Sequence, residues 1–301
     1  MKNIVNVYEA VGSNKLKSNL VMLLFAVFVV GTVWVFAETF GYGLWMVGYA
    51  LIFVGITSFV SFWWSDKIIL SLSGARPADR KRDFHFYTVT ENLSLAAGVP
   101  MPRLYVLEDS SPNAFATGRD PKHAVVCATT GILEKLDRTE LEGVIAHELS
   151  HIGNYDTRFM SIIAILAGII VILADFSIRG VMFGGRDRNR GGNPIIMVIA
   201  LVLMILAPIM AQLIKLAISR RREFLADATG VKLTRYPEGL ARALEKIAAS
   251  PVPLKAASNA TAHLYIENPF KADSKKSNWF VKLFNTHPPV EERIRALRSM
   301  G

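Results

Sequence analysis

The chain has 301 residues, 51% of them hydrophobic, and a mean hydropathy of +0.32, which is too apolar for an ordinary soluble two-domain protein. The formal charge is +9 and the pI about 9.7, a balance that suits nucleic acid, anionic lipid or the cytoplasmic loops of a membrane protein, and hydropathy selects the membrane over nucleic acid. A single cysteine, Cys127, rules out a disulfide within the chain, and its β-branched surroundings predict core packing.

Four apolar stretches are each close to the ~20 residues that cross a hydrocarbon layer as helix: Leu20 to Ala37, Leu44 to Phe62, Phe159 to Phe176 and Ile195 to Leu216. After a polar start (1–19), the first two predict a transmembrane hairpin over 20–63. The connection from Glu38 to Gly43 carries no Lys or Arg, whereas Lys2, Lys15 and Lys17 precede the hairpin and Lys67, Arg76, Arg80, Lys81 and Arg82 follow it. Both flanks are therefore expected on the cytoplasmic side. Trp34, Trp45, Trp63 and Trp64 fall near the span ends, at head-group level. A cleaved signal peptide would share the charged start and the small Ala37, but the run is long and a second span follows at once.

Residues 64–158 have mixed charge and prolines that punctuate short elements, and predict a small α+β unit outside the lipid. Within it, Asp83 to Ala97 reads as a helix, Arg103 to Leu107 and His123 to Thr129 as strands, and Thr139 to Gly153 as a helix opened by a Thr-Glu-Leu-Glu capping pattern. The second apolar hairpin, 159–216, is harder to place, because Arg179, Arg186, Arg188 and Arg190 in its connection oppose the positive-inside rule, and Pro208, Gln212 and Lys215 interrupt its second arm. Full spans and a hairpin only partly in lipid both remain open. The remainder, 217–301, predicts helices from Arg222 to about Leu233, from Glu238 to Ala249 and after Pro289.

The chemistry concentrates in His147-Glu148-Leu149-Ser150-His151, an H-E-x-x-H pattern on a predicted helix. Histidines at i and i+4 share a helical face, so both imidazoles can reach one cation, with Glu148 beside them as the base that activates water. A solvated helix face could carry the same pattern by chance. Glu223, in Ser219-Arg220-Arg221-Arg222-Glu223-Phe224-Leu225-Ala226-Asp227, supplies a third ligand of the right type: His147, His151 and Glu223 would hold one Zn2+ per chain with a position left open. The apolar hairpin between the two motifs returns them to one level. Asp227, one turn after Glu223, could accept the free N–H of a ligand histidine.

Together with these motifs, Pro112-Asn113-Ala114-Phe115-Ala116-Thr117-Gly118 and Thr286-His287-Pro288-Pro289 followed by Glu292-Arg293-Ile294 make the chain similar to the HtpX family of membrane zinc endopeptidases, relatives of the CAAX prenyl endopeptidases. The resemblance covers roughly residues 20 to 300. It implies a mainly α membrane protein with a small α+β zincin-like metalloprotease domain. The implied activity is proteolysis of misfolded membrane proteins at the cytoplasmic side of the inner membrane; separately from the resemblance, the Pro/Ala/Ser/Asn composition of Ser250 to Ala260 makes that segment a place where a protease could cleave itself. The motifs of the resemblance map the ligands onto His147, His151 and Glu223 and the base onto Glu148. The alternatives are a prenyl-peptide-processing endopeptidase, or a silent scaffold with a structural zinc whose fourth ligand would be His287. Two readings stay open for Asn113 to Thr117 (a substrate-pairing edge strand or a plain structural strand), for His287 (an approach to the zinc or a loop cap) and for Arg222 (buried charge balance or lipid phosphate). His85, His123 and His263 have no partner spacing and read as surface residues.

Overall fold

The structure is a computed structural model and describes residues 7–39, 45–166, 168–169, 220–252, 254, 264–266 and 288–300. The fourth apolar segment, the end of the third, the arginine-bearing connection between them, His263, His287 and most of Ser250 to Ala260 lie outside the described residues.

Helix α1 (Val7–Thr39) begins well before the apolar run and has 33 residues, about 50 Å at 1.5 Å per residue against ~30 Å of hydrocarbon. Its polar N-terminal turns are therefore a helical extension of the apolar part. Helix α2 (Trp45–Trp63) packs against it and turns by 78° at Trp64 into α3 (Ser65–Ser73). Among the described residues, one helix is long and apolar enough to cross a membrane (Val11–Gly31), or two if the bent pair is one span. Leu20, Leu23, Leu24 and Val27 of α1 and Leu51, Ile52, Ile56 and Phe59 of α2 are exposed, an apolar surface that water does not favour. The start of the third apolar segment differs: the helical run 156–166 buries Phe159, Met160, Ile162, Ile163 and Leu166 inside the protein.

The α+β unit is a four-stranded sheet in the order β1-β2-β4-β3. Strand β1 is Arg76–Pro77, β2 Arg103–Leu107, β3 Ala114–Thr117 and β4 Val125–Thr129. β2 and β4 are parallel with Arg103 opposite Val125, while β3 runs antiparallel to β4 with Ala114 opposite Ala128, which leaves β3 at the edge. The fourth strand starts two residues later than the sequence suggests, because Asp120 accepts from the His123 backbone N–H and closes Pro121–His123 into a 3-10 turn first. Val106, Val125, Val126 and Ala128 of the central strands are fully buried, and side chains of the Val and Leu type contribute roughly 1.5–3 kcal/mol each on burial.

Helix α4 (Phe84–Ala97) ends on Gly98 in the left-handed region, and α5 (Thr130–Lys135) follows β4 directly. Helix α6 (Arg138–Gly153) opens one residue earlier than the Thr139 expectation. Its cap is Asp137, whose carboxylate accepts from the Glu140 N–H while Glu140 accepts from the Asp137 N–H. The reciprocal box thus belongs to Asp-x-x-Glu, since a carboxylate caps better than the threonine hydroxyl two positions on. Helix α7 (Arg220–Thr234) packs along α6, α8 (Pro237–Ala249) packs against α6, and α9 (Val290–Arg298) closes on α7 and α8.

Candidate metal centre

Two close approaches set the geometry around α6. Gly143 faces α8, where an added Cβ would stand 2.7 Å from the Leu240 backbone nitrogen, and Gly230 of α7 faces His147, where a Cβ would stand 3.1 Å from its backbone nitrogen. A side chain at Gly230 would press on the α6 backbone, and the close approach that glycine permits carries Glu223, at the start of α7, to the histidine face of α6.

His147 and His151 then point their Nε2 atoms at each other across 3.2 Å, ring planes near perpendicular. Glu223 closes the third side, Oε2 3.7 Å from His147 Nε2 and Oε1 3.6 Å from His151 Nε2. The three ligand-type atoms lie within 4.8 Å of one another, and all three side chains are buried. The other nitrogen of each ring meets a carboxylate: His147 Nδ1 is 2.9 Å from Asp227 Oδ1, and His151 Nδ1 is 3.0 Å from Asp156 Oδ2. Carboxylates only accept, so each Nδ1 carries the proton and each Nε2 offers a lone pair toward the same point. Two imidazole nitrogens and a carboxylate converging in the protein interior form a donor set that a divalent cation fits, beside a cavity of about 10 Å³.

Where a metal does not take the point between the two rings, their Nε2 atoms, 3.2 Å apart, share one proton, and the surrounding charges assign it to His151. Burial, reinforced by Arg293, holds His147 below the ordinary imidazole pKa despite Asp227. For His151 burial works the same way, but the Asp156 hydrogen bond and the Glu223 charge outweigh it and push the ring up to about 9. The centre thus favours one positive charge between the rings, not two. Glu148 lines the same cavity; burial and the neighbouring Glu223 charge push its carboxyl up to about 7, against the pull of His151, Arg293 and a hydrogen bond from the Ala116 N–H. A carboxyl poised there exchanges a proton readily near neutral pH.

The structure brings together His147, Glu148, His151, Glu223 and Asp227. Arg222 turns inward, its Nη1 3.7 Å from Asp156 Oδ1, and β3 lies beside the cavity through Ala116. His85 and His123 are exposed, the latter paired with Asp120, and Cys127 is buried in β4. Three features escape local sequence reasoning. Arg293, fully buried, grips Asp227 and donates to the Ile266 carbonyl at 3.3 Å. Asp156 orients His151, and its place five residues after that histidine was the available signal. Leu264, Tyr265 and Ile266 cover the cavity, the Tyr265 ring edge-on to Phe115 at 5.1 Å and the Ile266 N–H donated to Ala114 O at 3.0 Å on the outer side of β3.

Comparison with known proteins places this constellation. The description "Peptidase family M48" matches residues 81–301. A "Protease HtpX homolog" of Dictyoglomus turgidum is 46% identical over 294 residues, 98% of this chain and 95% of the relative. Homologues of the same name from Thermoanaerobacter pseudethanolicus (43% over 298 residues, 97% of each chain) and Pyrococcus furiosus (48% over 247 residues, 81% of this chain and 83% of the relative) are also similar. The crystal structure of S. mikatae Ste24p superposes with a TM-score of 0.50 at 18% identity, covering 93% of this chain. This chain spans 65% of that longer protein, and the likeness is one of fold. With a family match across most of the chain and relatives of such identity over nearly all of it, this protein is a metalloprotease of peptidase family M48.

Proposed function

We propose that the chain is a zinc endopeptidase of the membrane in which His147, His151 and Glu223 hold the metal and Glu148 is the catalytic base. The observation that carries this reading is the convergence of two Nε2 lone pairs, 3.2 Å apart, and the Glu223 carboxylate on one buried point beside Glu148. Two imidazoles and a carboxylate with one side left open favour Zn2+, which supplies Lewis acidity to a peptide carbonyl and acidifies water. Glu148 takes the proton of the attacking water and returns it to the leaving amine, a role suited to a buried carboxyl with a pKa near neutrality. Asp227 and Asp156 keep the two rings in the tautomer that presents Nε2. The edge of β3, next to the cavity, offers backbone groups to a substrate bound as an added strand.

The exposed apolar faces of α1 and α2 support a multi-pass protein in the inner membrane, and the lysines and arginines flanking that hairpin support a protease domain on the cytoplasmic side. Misfolded membrane proteins are the substrate class that fits this position, with self-cleavage near Ser250 to Ala260 as a side reaction. The test is zinc content and casein cleavage by detergent-purified protein, wild type beside Glu148→Gln and Glu223→Ala, with chelation and zinc add-back. One zinc in wild type and Glu148→Gln, activity only in wild type, and less than one zinc in Glu223→Ala are the expected results. Normal cleavage by Glu148→Gln removes it as base, and full occupancy in Glu223→Ala places the third ligand elsewhere.

A further inference from the structure

Residue Asn14 lies on the polar N-terminal turns of α1, far in sequence from the centre and outside the part of the chain that matches the M48 description. It is 3% exposed, which is unusual for an asparagine on a helix whose neighbours Leu16 and Leu20 are open. Its side-chain amide donates to the Asn154 carbonyl at 2.9 Å and to Asp156 Oδ1 at 2.7 Å, and its own oxygen faces Arg222 Nη1 at 3.4 Å. That orientation of the amide is fixed by chemistry: turned over, its oxygen would face two acceptors and its nitrogen a guanidinium.

Asp156 is thus held from two sides. Oδ1 accepts from Asn14, with Arg222 Nη1 3.7 Å away, while Oδ2 faces the Nδ1 of His151 at 3.0 Å. A carboxylate free to rotate about its last torsion could turn away from the imidazole, and Asn14 removes that freedom. Asn14 also pins the Asn154 carbonyl in the turn that ends α6, so the loop bearing Asp156 is tied to α1 by two bonds from one side chain.

We propose that Asn14 is a positioning residue of the metal centre, contributed by the membrane-anchoring helix: through Asp156 it holds His151 in the orientation and tautomer that present Nε2 to the metal. This rests on the reading of His151 as a ligand. The site of the protease domain is then incomplete without α1, which serves as a structural part of the centre in addition to being an anchor.

The experiment uses full-length protein in detergent and follows zinc release to a chelator, kcat and KM on casein, and melting of the metal-free form. Asn14→Leu keeps the volume and removes both donors. Zinc release about tenfold faster than wild type is expected, within the range that partners of metal ligands command, with kcat lowered and KM unchanged. In an Asp156→Asn background the same change should add nothing, because its route to His151 is already cut. Leu16→Ala, on the open side of α1, should release zinc at the wild-type rate. If Asn14→Leu does not accumulate, Asn14→Ser, which keeps one donor, serves the same comparison with a smaller effect. Zinc release unchanged in Asn14→Leu, or an effect as large in the Asp156→Asn background as in wild type, overturns the proposal. A wild-type protein that holds no zinc overturns the proposed function itself, and with it this inference, a result distinct from wild-type zinc binding that ignores Asn14.

Discussion

Arg293 and Asp227 form a two-pronged ion pair in the protein interior, Nε to Oδ2 at 2.9 Å and Nη2 to Oδ1 at 2.7 Å, neither side chain more than 1% exposed. The pair holds the Asp227 carboxyl, which burial alone would raise, down to about 2, and keeps it ionised against His147. Removing the cation leaves a buried carboxylate without a counter-charge, which costs about 3–5 kcal/mol. Arg293→Ala is accordingly expected to lower the melting temperature by several degrees or prevent accumulation; a melt matching wild type would mean that the centre tolerates the bare carboxylate.

Asp227→Asn keeps the shape but removes the charge that fixes the His147 tautomer. On the proposed ligand set, metal retention during dialysis against a chelator should fall by about 10- to 100-fold, the range typical of partners of metal-binding histidines. Retention equal to wild type would show that burial alone positions the ring.

Gly143→Ala puts a methyl group 2.7 Å from the Leu240 nitrogen and 2.8 Å from its Cα, both backbone atoms that cannot swing aside. Overpacking of this kind costs about 1–3 kcal/mol, and here it levers α8 off the helix that carries both histidines. Lower stability together with weaker zinc binding is the expected outcome, whereas a neutral substitution would show that α8 shifts freely.

Cys127 is buried in β4, and burial pushes its thiol well above the usual range, so little reactive thiolate exists at neutral pH. Alkylating reagents should leave it untouched in the native protein and modify it fully in denaturant. Rapid native labelling would reveal opening of the sheet beside β3.

Much of this was legible in sequence because it is local. The i, i+4 histidines need only a helix to share a face, and β2 and α4 follow from apolar periodicity within their own residues. The opening of α6 was misread by one position because Asp137 and Thr139 are both plausible caps and only the hydrogen bonds decide between them. Asn14 was hidden for a different reason. A single amide in a polar helical turn carries no pattern, and its partner Asp156 lies 142 residues away, a separation that no periodicity reports. The grip of Arg293 on Asp227 is equally non-local, although both residues sit in motifs that stand out in the sequence.

Strand β3 offers its outer edge at Ala114, and that edge is already engaged by Ile266, while Leu264 and Tyr265 lie across the cavity. On the proposed mode of substrate binding, an incoming peptide would compete with the protein's own chain for this edge. A folded loop presents few extended residues and would compete poorly, whereas an unravelled polypeptide, able to lay down several in succession, would gain more bonds against the occupant. Selection for disordered chains would then need no recognition of sequence, only a threshold length of extended backbone set by the segment that must give way.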